Sequence, residues 1–304
     1  MRYLITGAGQ IGTQLAHDLI ADGHEVVVLR RRADPVPGAE VRSGDAGDRD
    51  ALRTAASGAT AVFHCVHAAY SAPAWRRELP WREIAIMDVA AELGIPVVFP
   101  ESVYAFGMGA RDLAETTPIT PASPLGRVRA DLLAARAAHP ARTASVVASD
   151  LVGPTARPAT SVVLSTVLRP AAAGRRAMVL GDPDAPHAVT YLPDLTRAMA
   201  AAVPRAAASD TVLIAPTPAA RSQRDMARDA AAAAGREPAG VSGIPNALLA
   251  VGAPFSASTR ELFHQRYLWS APSELRPGRL TTELGLEPTP WSDVLAEWAA
   301  TRTR

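Results

Sequence analysis

Three glycines near the amino terminus have the spacing of a phosphate-binding turn. In ITGAGQIGTQ, Gly7, Gly9 and Gly12 follow a short apolar run and open a segment of helical period. The first glycine permits a tight turn, the second lets the backbone approach a pyrophosphate, and the third allows close helix packing. Because a helix amino terminus also stabilises an anion, this pattern predicts a dinucleotide-binding loop. Gln10 and Ile11, between the last two glycines, belong to the same predicted cofactor site.

The residues after the second apolar run bear on which nucleotide is bound. An acidic side chain there would accept a hydrogen bond from the adenosine ribose 2′-hydroxyl. The run VVVLRRR instead ends in Arg30 and Arg31, with a further arginine behind them and no carboxylate. Guanidinium groups suit a 2′-phosphate, so the sequence predicts that NADP(H) is preferred over NAD(H). The alternative is that some of these arginines only solvate a loop.

Short β-branched runs alternate with longer segments of helical period along the first half of the chain. This alternation is typical of βαβ units and predicts an α/β fold, a Rossmann-type doubly wound parallel sheet with a smaller C-terminal substrate-binding lobe. Residues 1–150 are predicted to form the dinucleotide-binding domain, and residues 151–304 a mixed substrate-binding lobe that partly completes the sheet. Strands are predicted at residues 3–6, 25–29, 40–42, 61–65, 96–99 and 144–148. Helices are predicted at residues 10–21, 49–56, 81–93, 124–138 and 226–234.

The composition excludes several classes of function. The 304 residues contain 31 basic and 30 acidic side chains, a net charge of +1 that argues against nucleic-acid binding. Every basic residue is arginine, so lysine Schiff-base chemistry is impossible. The single cysteine excludes an intramolecular disulfide, and the seven histidines show no metal-site spacing. We expect no metal, no signal peptide, no membrane association and a cytoplasmic location.

Seven stretches of the sequence form a recognisable series. In chain order they are ITGAGQIG, SGDAGD, AVFHCVHAA, VVFPESVYAFG, TPITPASPLGRVRADLL, VVASDLVGP and GDPDAPHAVTYLPDL. Their order and spacing resemble the extended short-chain dehydrogenase/reductase superfamily, specifically its NAD-dependent epimerase/dehydratase group, over essentially the whole length. The resemblance implies that Asp45, with Ala46 beside it, lies by the adenine, and that Cys65, Val66 and His67 pass along the cofactor.

The catalytic part of the resemblance is where this chain departs. Members of the group carry a serine, and then a tyrosine that transfers a proton and a lysine that lowers the tyrosine pKa. Here Ser102 matches the serine, but Leu125 stands at the tyrosine position and Arg129 at the lysine position. Leucine cannot transfer a proton. Arg129 could still bond to the nicotinamide ribose, although an ordinary helix arginine is an equal alternative.

Three nearby side chains could replace the missing tyrosine. Tyr104 lies two residues after Ser102 on a predicted extended segment, so side-chain alternation would put both on one face. His67 follows the fourth strand, where open α/β sheets bind ligands, and histidine titrates near neutrality. Tyr70 shares that loop with Trp75, and both are predicted as walls of the substrate pocket. The proton donor is left open between Tyr104, His67 and water.

The resemblance also suggests residues of the substrate pocket. It maps Asp150 onto a substrate contact and His187 onto an arginine that often holds a nucleotide-sugar phosphate. A histidine beside an acid is a poor phosphate clamp, which argues against a nucleotide-sugar substrate. Leu125 is included in the predicted pocket, whereas Glu101, next to Ser102, is expected to point to the opposite face.

These residues predict an atypical NADP(H)-binding oxidoreductase that reduces a small, largely uncharged carbonyl or enone. Hydride would come from the nicotinamide, and Ser102 would hold the oxyanion. The alternatives are a non-redox lyase, isomerase or cyclase, a sugar epimerase or dehydratase, and a binding module that senses NADP(H). We expect a small-molecule substrate and a monomer or weak homodimer, because the helix at 124–138 is charged for an obligate interface.

Overall fold

A parallel sheet forms the centre of the molecule. The computed structural model describes residues 1–206 and 211–302. Within these residues the sheet contains seven strands, namely β1 (Arg2–Thr6), β2 (Glu25–Arg30), β3 (Glu40–Ser43), β4 (Ala61–His64), β5 (Val97–Ser102), β6 (Thr143–Ala148) and β11 (Thr211–Ile214). Short pairs are formed by β7 (Asp150–Val152) with β10 (Val189–Tyr191), β8 (Ala177–Val179) with β13 (Val241–Gly243), and β9 (Pro186–His187) with β12 (Arg221–Ser222). The order of the main sheet is β11-β6-β5-β4-β1-β2-β3, and all its pairings are parallel.

Helices connect the strands and cover the sheet. They are α1 (Gln10–Ala21), α2 (Arg49–Ala56), α3 (Ala72–Leu93), α4 (Pro124–Ala138), α5 (Arg169–Ala172), α6 (Leu192–Ala206), α7 (Gln223–Ala233), α8 (Asn246–Gly252), α9 (Ala257–Gln265), α10 (Arg279–Thr282) and α11 (Trp291–Arg302). Among the described residues, none of these helices is long and apolar enough to cross a bilayer.

Consecutive apolar residues in the strands explain why both faces of the sheet are covered. Leu4 and Val27 pack with α2 and α3 on one face. The next residues, Ile5 and Val28, pack with α1 and α6 on the other face. Because successive strand side chains point to opposite faces, an uninterrupted apolar strand needs a helical layer on each side. The predicted doubly wound α/β fold is therefore confirmed.

The element boundaries follow the sequence pattern closely, with one large exception. α1, α2 and α4 begin and end where predicted, and β5 continues three residues further, to Ser102. α3 begins at Ala72 and not at residue 81. The sequence did not predict a helix over residues 72–80 because this segment contains two prolines. Pro73 lies in the first turn, where its missing N–H costs no hydrogen bond, and Pro80 is accommodated inside the helix.

The carboxyl ends of the parallel strands meet at one edge of the sheet. The residues that follow β1, β2, β3, β4 and β5 therefore come together there, which is where open α/β sheets bind ligands. The second half of the chain contributes β11 to the sheet and a separate apolar core around Val167, Trp269 and Leu295. This core packs against the segment that follows β5.

Candidate active site

A cleft of about 630 Å³ opens at the carboxyl ends of β1, β2, β3 and β4. The predicted cofactor residues Gln10, Ile11 and Gly12 form the first turn of α1 and are not among the residues that line it. The predicted cofactor residues Gly7, Gly9, Arg30, Arg31, Asp45, Ala46, Cys65 and Val66 line the cleft, together with His67. Its remaining lining residues are Ala8, Leu29, Arg32, Asp34, Gly44 and Arg82.

Two positions of the glycine loop, Gly7 and Gly12, admit only glycine. Gly7 has φ +87°, and a Cβ on Gly12 would lie 2.0 Å from the Gly7 carbonyl oxygen. A Cβ on Gly9 would meet nothing within 4 Å, because this glycine borders open space. Gly9 also caps α1 without any side-chain hydrogen bond, so the first N–H groups of the helix stay available to an anion. These residues fit the pyrophosphate of a dinucleotide.

The arginines after β2 are not equivalent. Arg30 donates to the Asp34 carboxylate at 3.0 Å and to the Asp34 carbonyl at 3.2 Å. In the described part of the chain, the guanidinium groups of Arg31 and Arg32 have no hydrogen-bond or ion-pair partner, yet both line the cleft. Asp34 was missed by the sequence reasoning, although an acid four residues after Arg30 was a usable signal. Among the described residues of the cleft, Arg31 and Arg32 are therefore the arginines without a hydrogen-bonded partner, although the charge of Arg31 also acts on Asp45.

A second ion pair lies across the cleft, at the loop after β3. Arg82, on α3, donates to both carboxylate oxygens of Asp45 at 3.2 and 3.3 Å, and the Gly47 N–H donates to one of them at 2.9 Å. The Arg82 hydrogen bonds hold the pKa of Asp45 below its usual value. Trp81 covers this loop so closely that a Cβ on Gly47 would lie 1.5 Å from its ring. No local sequence signal pointed to Arg82.

His67 lies where the cleft approaches the second half of the chain. Its Nδ1 is 2.8 Å from the Ala68 carbonyl, and its Nε2 is 3.2 Å from the Arg129 guanidinium. We assign the proton to Nδ1, because Nε2 must accept from a group that only donates. Desolvation and the charge of Arg129 lower the pKa of His67 to about 4. The imidazole is therefore neutral at physiological pH, and its lone pair is occupied.

A buried carboxylate supports both Ser102 and Arg129. Glu101 accepts the Ser102 N–H at 2.8 Å, and the same oxygen is 3.4 Å from Arg129 Nε. Its other oxygen accepts from Arg136 at 2.9 Å, and Arg136 donates to both oxygens of Glu83 at 2.7 Å. The expectation that Glu101 points away from Ser102 was wrong, because these contacts with α4 turn its carboxylate beneath the serine.

Tyr104 and Tyr70 form a pair of phenols. Their hydroxyl oxygens are 3.1 Å apart, and the buried Trp75 ring stacks against Tyr104 at 6.2 Å and meets Tyr70 edge-on at 5.9 Å. The extended segment predicted through Tyr104 was wrong: β5 ends at Ser102, and Tyr104 lies in the 3-10 segment Val103–Asp112. Burial raises the pKa of Tyr104 well above its ordinary value and raises that of Tyr70 as well. Both phenols therefore remain protonated.

Leu125 has no exposed surface. It packs beneath the site with Trp75, Val128 and Leu132, in the apolar cluster between α3 and α4. Arg129, one turn further along α4, is 7% exposed and points to His67 and not to bulk solvent. The two positions where the resemblance expects a tyrosine and a lysine thus hold a core side chain and a bound guanidinium.

Asp150 and His187, both predicted to contact substrate, contact each other. His187 Nε2 is 2.9 Å from the Asp150 carboxylate, and Nδ1 is 3.3 Å from the Leu268 carbonyl. The imidazole stacks on Trp269 with ring centres 3.6 Å apart and is 3% exposed. Asp150 also contributes to the raised pKa of Tyr104, after burial and the Tyr70 hydroxyl. Since Asp150 engages His187, this pair offers a phosphate no free cation.

The fold is shared with sugar-modifying enzymes at low identity. UDP-glucose 4-epimerase from Thermotoga maritima, solved with UDP-glucose, is 17% identical to this chain, with a TM-score of 0.74. The match covers 100% of this chain and 99% of the epimerase chain. The Thermus thermophilus UDP-glucose 4-epimerase in complex with NAD is 20% identical, with a TM-score of 0.71 and coverage of 99% and 98%. A double mutant of DesIV, a dTDP-glucose 4,6-dehydratase from Streptomyces venezuelae, is 18% identical, with a TM-score of 0.77 and coverage of 100% and 97%.

The family follows from the sequence itself. No curated protein matches the chain. The model of the NAD dependent epimerase/dehydratase family matches residues 3–215, which include the glycine loop, the cleft and the phenol pair. The chain therefore belongs to the NAD dependent epimerase/dehydratase family.

Proposed function

We propose that this protein is an NADP(H)-dependent oxidoreductase that reduces a small, uncharged carbonyl or enone compound. The observation that carries the proposal is the pair of protonated phenols, Tyr104 and Tyr70, with hydroxyl oxygens 3.1 Å apart. Burial is the largest influence on the pKa of Tyr104 and raises it well above the ordinary value. The charge of Arg129 acts in the opposite direction and is the smallest influence.

This protonation state supports reduction as the direction of the reaction. Reduction of a carbonyl creates an alkoxide that needs a proton, so a protonated phenol is a suitable acid. Oxidation of an alcohol needs a base, and a phenol that resists ionisation is a poor one. Epimerisation or dehydration of a sugar by a nicotinamide cofactor begins with such an oxidation. The setting of Tyr104, in which desolvation and the nearby Asp150 keep the phenol protonated, therefore supports reduction over sugar epimerisation.

The residues divide the work as follows. A bound reduced nicotinamide supplies hydride to the carbonyl carbon. The Ser102 hydroxyl donates a hydrogen bond to the carbonyl oxygen, and Tyr104 transfers its proton to that oxygen as the C–O double bond becomes single. Tyr70 then returns a proton to Tyr104 and recovers its own from water. His67 is less suited to this step, because its Nε2 accepts from Arg129 and carries no proton to give.

The cofactor preference rests on the unpaired cations of the cleft. Arg31 and Arg32 are available to a 2′-phosphate, whereas Asp34 already binds Arg30. The 2′-hydroxyl of NAD(H) would meet a surface in which guanidinium groups outnumber carboxylates. This charge balance supports NADP(H).

Reduction can be tested with purified protein, NADPH and a panel of uncharged ketones, aldehydes and enones. We expect loss of reduced-nicotinamide absorbance with at least one compound class and formation of the matching alcohol or saturated carbonyl. A parallel arm with NAD and UDP-glucose, analysed for a changed sugar, tests epimerisation. Turnover only in the second arm would overturn the proposal, and so would tight NADPH binding without consumption in either arm, which would favour a sensor.

A further inference from the structure

Helix α9, in the second half of the chain, contacts the starts of both α3 and α4. The Glu261 carboxylate accepts the backbone N–H of Ala72, the first residue of α3, at 2.9 Å. One turn further along α9, the Gln265 side-chain amide donates to the Ser123 hydroxyl at 2.9 Å, and Ser123 is the N-cap of α4. Glu261, Gln265 and Ser123 are each at most 2% exposed. Two buried side chains of one helix therefore hold the places where α3 and α4 begin.

Both phenols are attached to these helix starts. Tyr70 lies two residues before α3, in a tight turn where the Ser71 N–H donates to the Ala69 carbonyl at 2.7 Å. Tyr104 abuts the first turn of α4, since a Cβ on Gly126 would lie 2.5 Å from the Tyr104 carbonyl oxygen. The 3.1 Å separation of the two hydroxyl oxygens therefore depends on how α9 holds the two helix starts.

The amino terminus of α3 has a cap besides Glu261. The Ser71 hydroxyl accepts the Ala74 N–H at 3.4 Å. Within the described residues, the Ala72 N–H is the only hydrogen-bond donor to Glu261, whose second carboxylate oxygen lies 3.7 Å from His264 Nδ1. Because desolvating a carboxylate with so few partners costs free energy, its presence beside the phenols is better explained by the position that it fixes than by a gain in stability.

We infer that Glu261 is a positioning residue for the proposed reaction, and that it acts by holding Tyr70 within hydrogen-bond distance of Tyr104. The inference rests on the proposed function, in which Tyr70 returns a proton to Tyr104. Proton transfer between two hydroxyl groups requires hydrogen-bond distance, so a small displacement of the loop before α3 would interrupt it. The charge of Glu261 also raises the pKa of Tyr70, as a smaller cause than burial, so the carboxylate lies within electrostatic reach of that phenol.

Substitutions of Glu261 test this role through kinetics. E261A removes the bond to Ala72, whereas E261Q keeps a carbonyl oxygen that can accept it. We expect kcat for carbonyl reduction to fall about tenfold in E261A, and by no more than in Y70F, while KM and NADPH affinity stay near those of wild type. E261Q should recover most of the kcat. Adding E261A to Y70F should lower kcat no further, because Glu261 acts through a hydroxyl that Y70F already lacks.

The spacing of the phenols can also be measured without turnover. In NMR of protein with isotope-labelled tyrosine rings, the shift of the carbon that bears the hydroxyl reports hydrogen bonding of that hydroxyl. Y70F and Y104F assign the two signals of the pair. We expect both signals to move in E261A and to return toward wild type in E261Q, while the signals of Tyr3 and Tyr191 stay in place. E261D, which keeps the charge but withdraws the oxygen by one methylene, is a milder change that should move the same two signals.

E115A is the matched control. Glu115 also joins separate elements through backbone N–H groups, those of Ile214 at 3.1 Å and Arg279 at 3.0 Å, and its loss should leave kcat and both phenol signals unchanged. Unmoved phenol signals in E261A and E261D, or a further loss of kcat when E261A is added to Y70F, would overturn the inference while the proposed function stands. Absence of carbonyl reduction in wild type would overturn the proposed function, and the catalytic role of Glu261 with it, even if the signals move.

Discussion

The site has two ends that are assembled differently: the cofactor end, which is the cleft, and the proposed catalytic end, which is the phenol pair with Ser102 and the Glu101 network. At the cofactor end, the glycine loop and the pair of Arg30 with Asp34, four positions apart, are set by local sequence, and only Asp45 reaches a distant partner, Arg82, across 37 positions. At the catalytic end, Tyr70 and Tyr104 meet across 34 positions, and their contact depends on how α3 and the 3-10 segment pack. The proposed catalytic end therefore depends on contacts between distant segments, whereas the glycine loop and the Arg30–Asp34 pair are set by local sequence.

The two ends also differ in how charge is held. The pair between Arg30 and Asp34 is exposed, and exposed pairs contribute little to stability. Behind the catalytic end, Glu101, Arg136 and Glu83 have side chains that are at most 6% exposed. A buried pair depends on all of its partners, because removing one leaves a desolvated charge. The catalytic end should therefore tolerate substitution far less than the cofactor end.

The largest expected effect is on the reaction itself. Y104F removes the proposed acid, so kcat for carbonyl reduction should fall about 10²- to 10⁴-fold, while NADPH affinity stays near that of wild type. Y70F leaves the acid in place and removes only the group that reprotonates it, so its loss should be smaller. Steady-state kinetics paired with NADPH titration would measure both. Full activity in Y104F would mean that His67 or water, and not Tyr104, donates the proton.

The buried network should give the largest effect on stability. R136M leaves Glu83 buried without its cation and Glu101 with Arg129 alone, which we expect to cost about 3–5 kcal/mol of unfolding free energy. The control is R53M, which breaks an equally well-formed pair with Glu92, at 2.7 Å, whose side chains are 43% and 46% exposed. It should change the urea midpoint little. Equal losses in the two variants would contradict the contrast between the ends.

The same contrast describes what could be predicted from the sequence. Residues that directly follow strands, such as Gly7, Asp45 and His67, reach one cleft because the strands are parallel and adjacent. The spacing of these residues in the sequence was sufficient to predict that they line one cleft, although the ligand of that cleft stays a prediction. Glu101 was misplaced because its orientation depends on arginines of α4, and Tyr104 because β5 gives way to a 3-10 turn that alternation does not foresee. Tertiary contacts, and not local pattern, decide those positions.

His64, the last residue of β4, should make the fold sensitive to acid. It is buried at the end of β4, and burial followed by nearby arginines lowers its pKa to about 3. Between an unfolded pKa near 6.5 and this value, the unfolded chain binds more protons, so stability falls as pH falls. We expect a loss of about 2–3 kcal/mol between about pH 7 and about pH 4.5. Urea unfolding at both pH values measures it.

The matched control for this effect removes both members of the His64 contact. His64 Nδ1 lies 2.8 Å from the Thr6 hydroxyl, so the double variant T6V/H64L eliminates the titrating ring without stranding its partner. On acidification, the double variant should lose about 2–3 kcal/mol less unfolding free energy than wild type. An unchanged acid dependence would assign the effect to other groups, among them His67.

The smallest effect should come from the cofactor end, and it separates three neighbouring arginines. A charge-assisted bond contributes roughly 1.5–3 kcal/mol, so losing Arg31 and Arg32 together should erase an NADPH preference of about ten- to a hundredfold. NADH affinity should barely change, because its 2′-hydroxyl gains little from a cation. R30A should have a weaker effect, since Asp34 already occupies that guanidinium, and D34A should strengthen NADPH binding by freeing it. Calorimetry with both cofactors distinguishes these outcomes. If R30A proved as damaging as R31A/R32A, Asp34 would have to release Arg30 when the 2′-phosphate binds, and D34A would then leave NADPH affinity nearly unchanged.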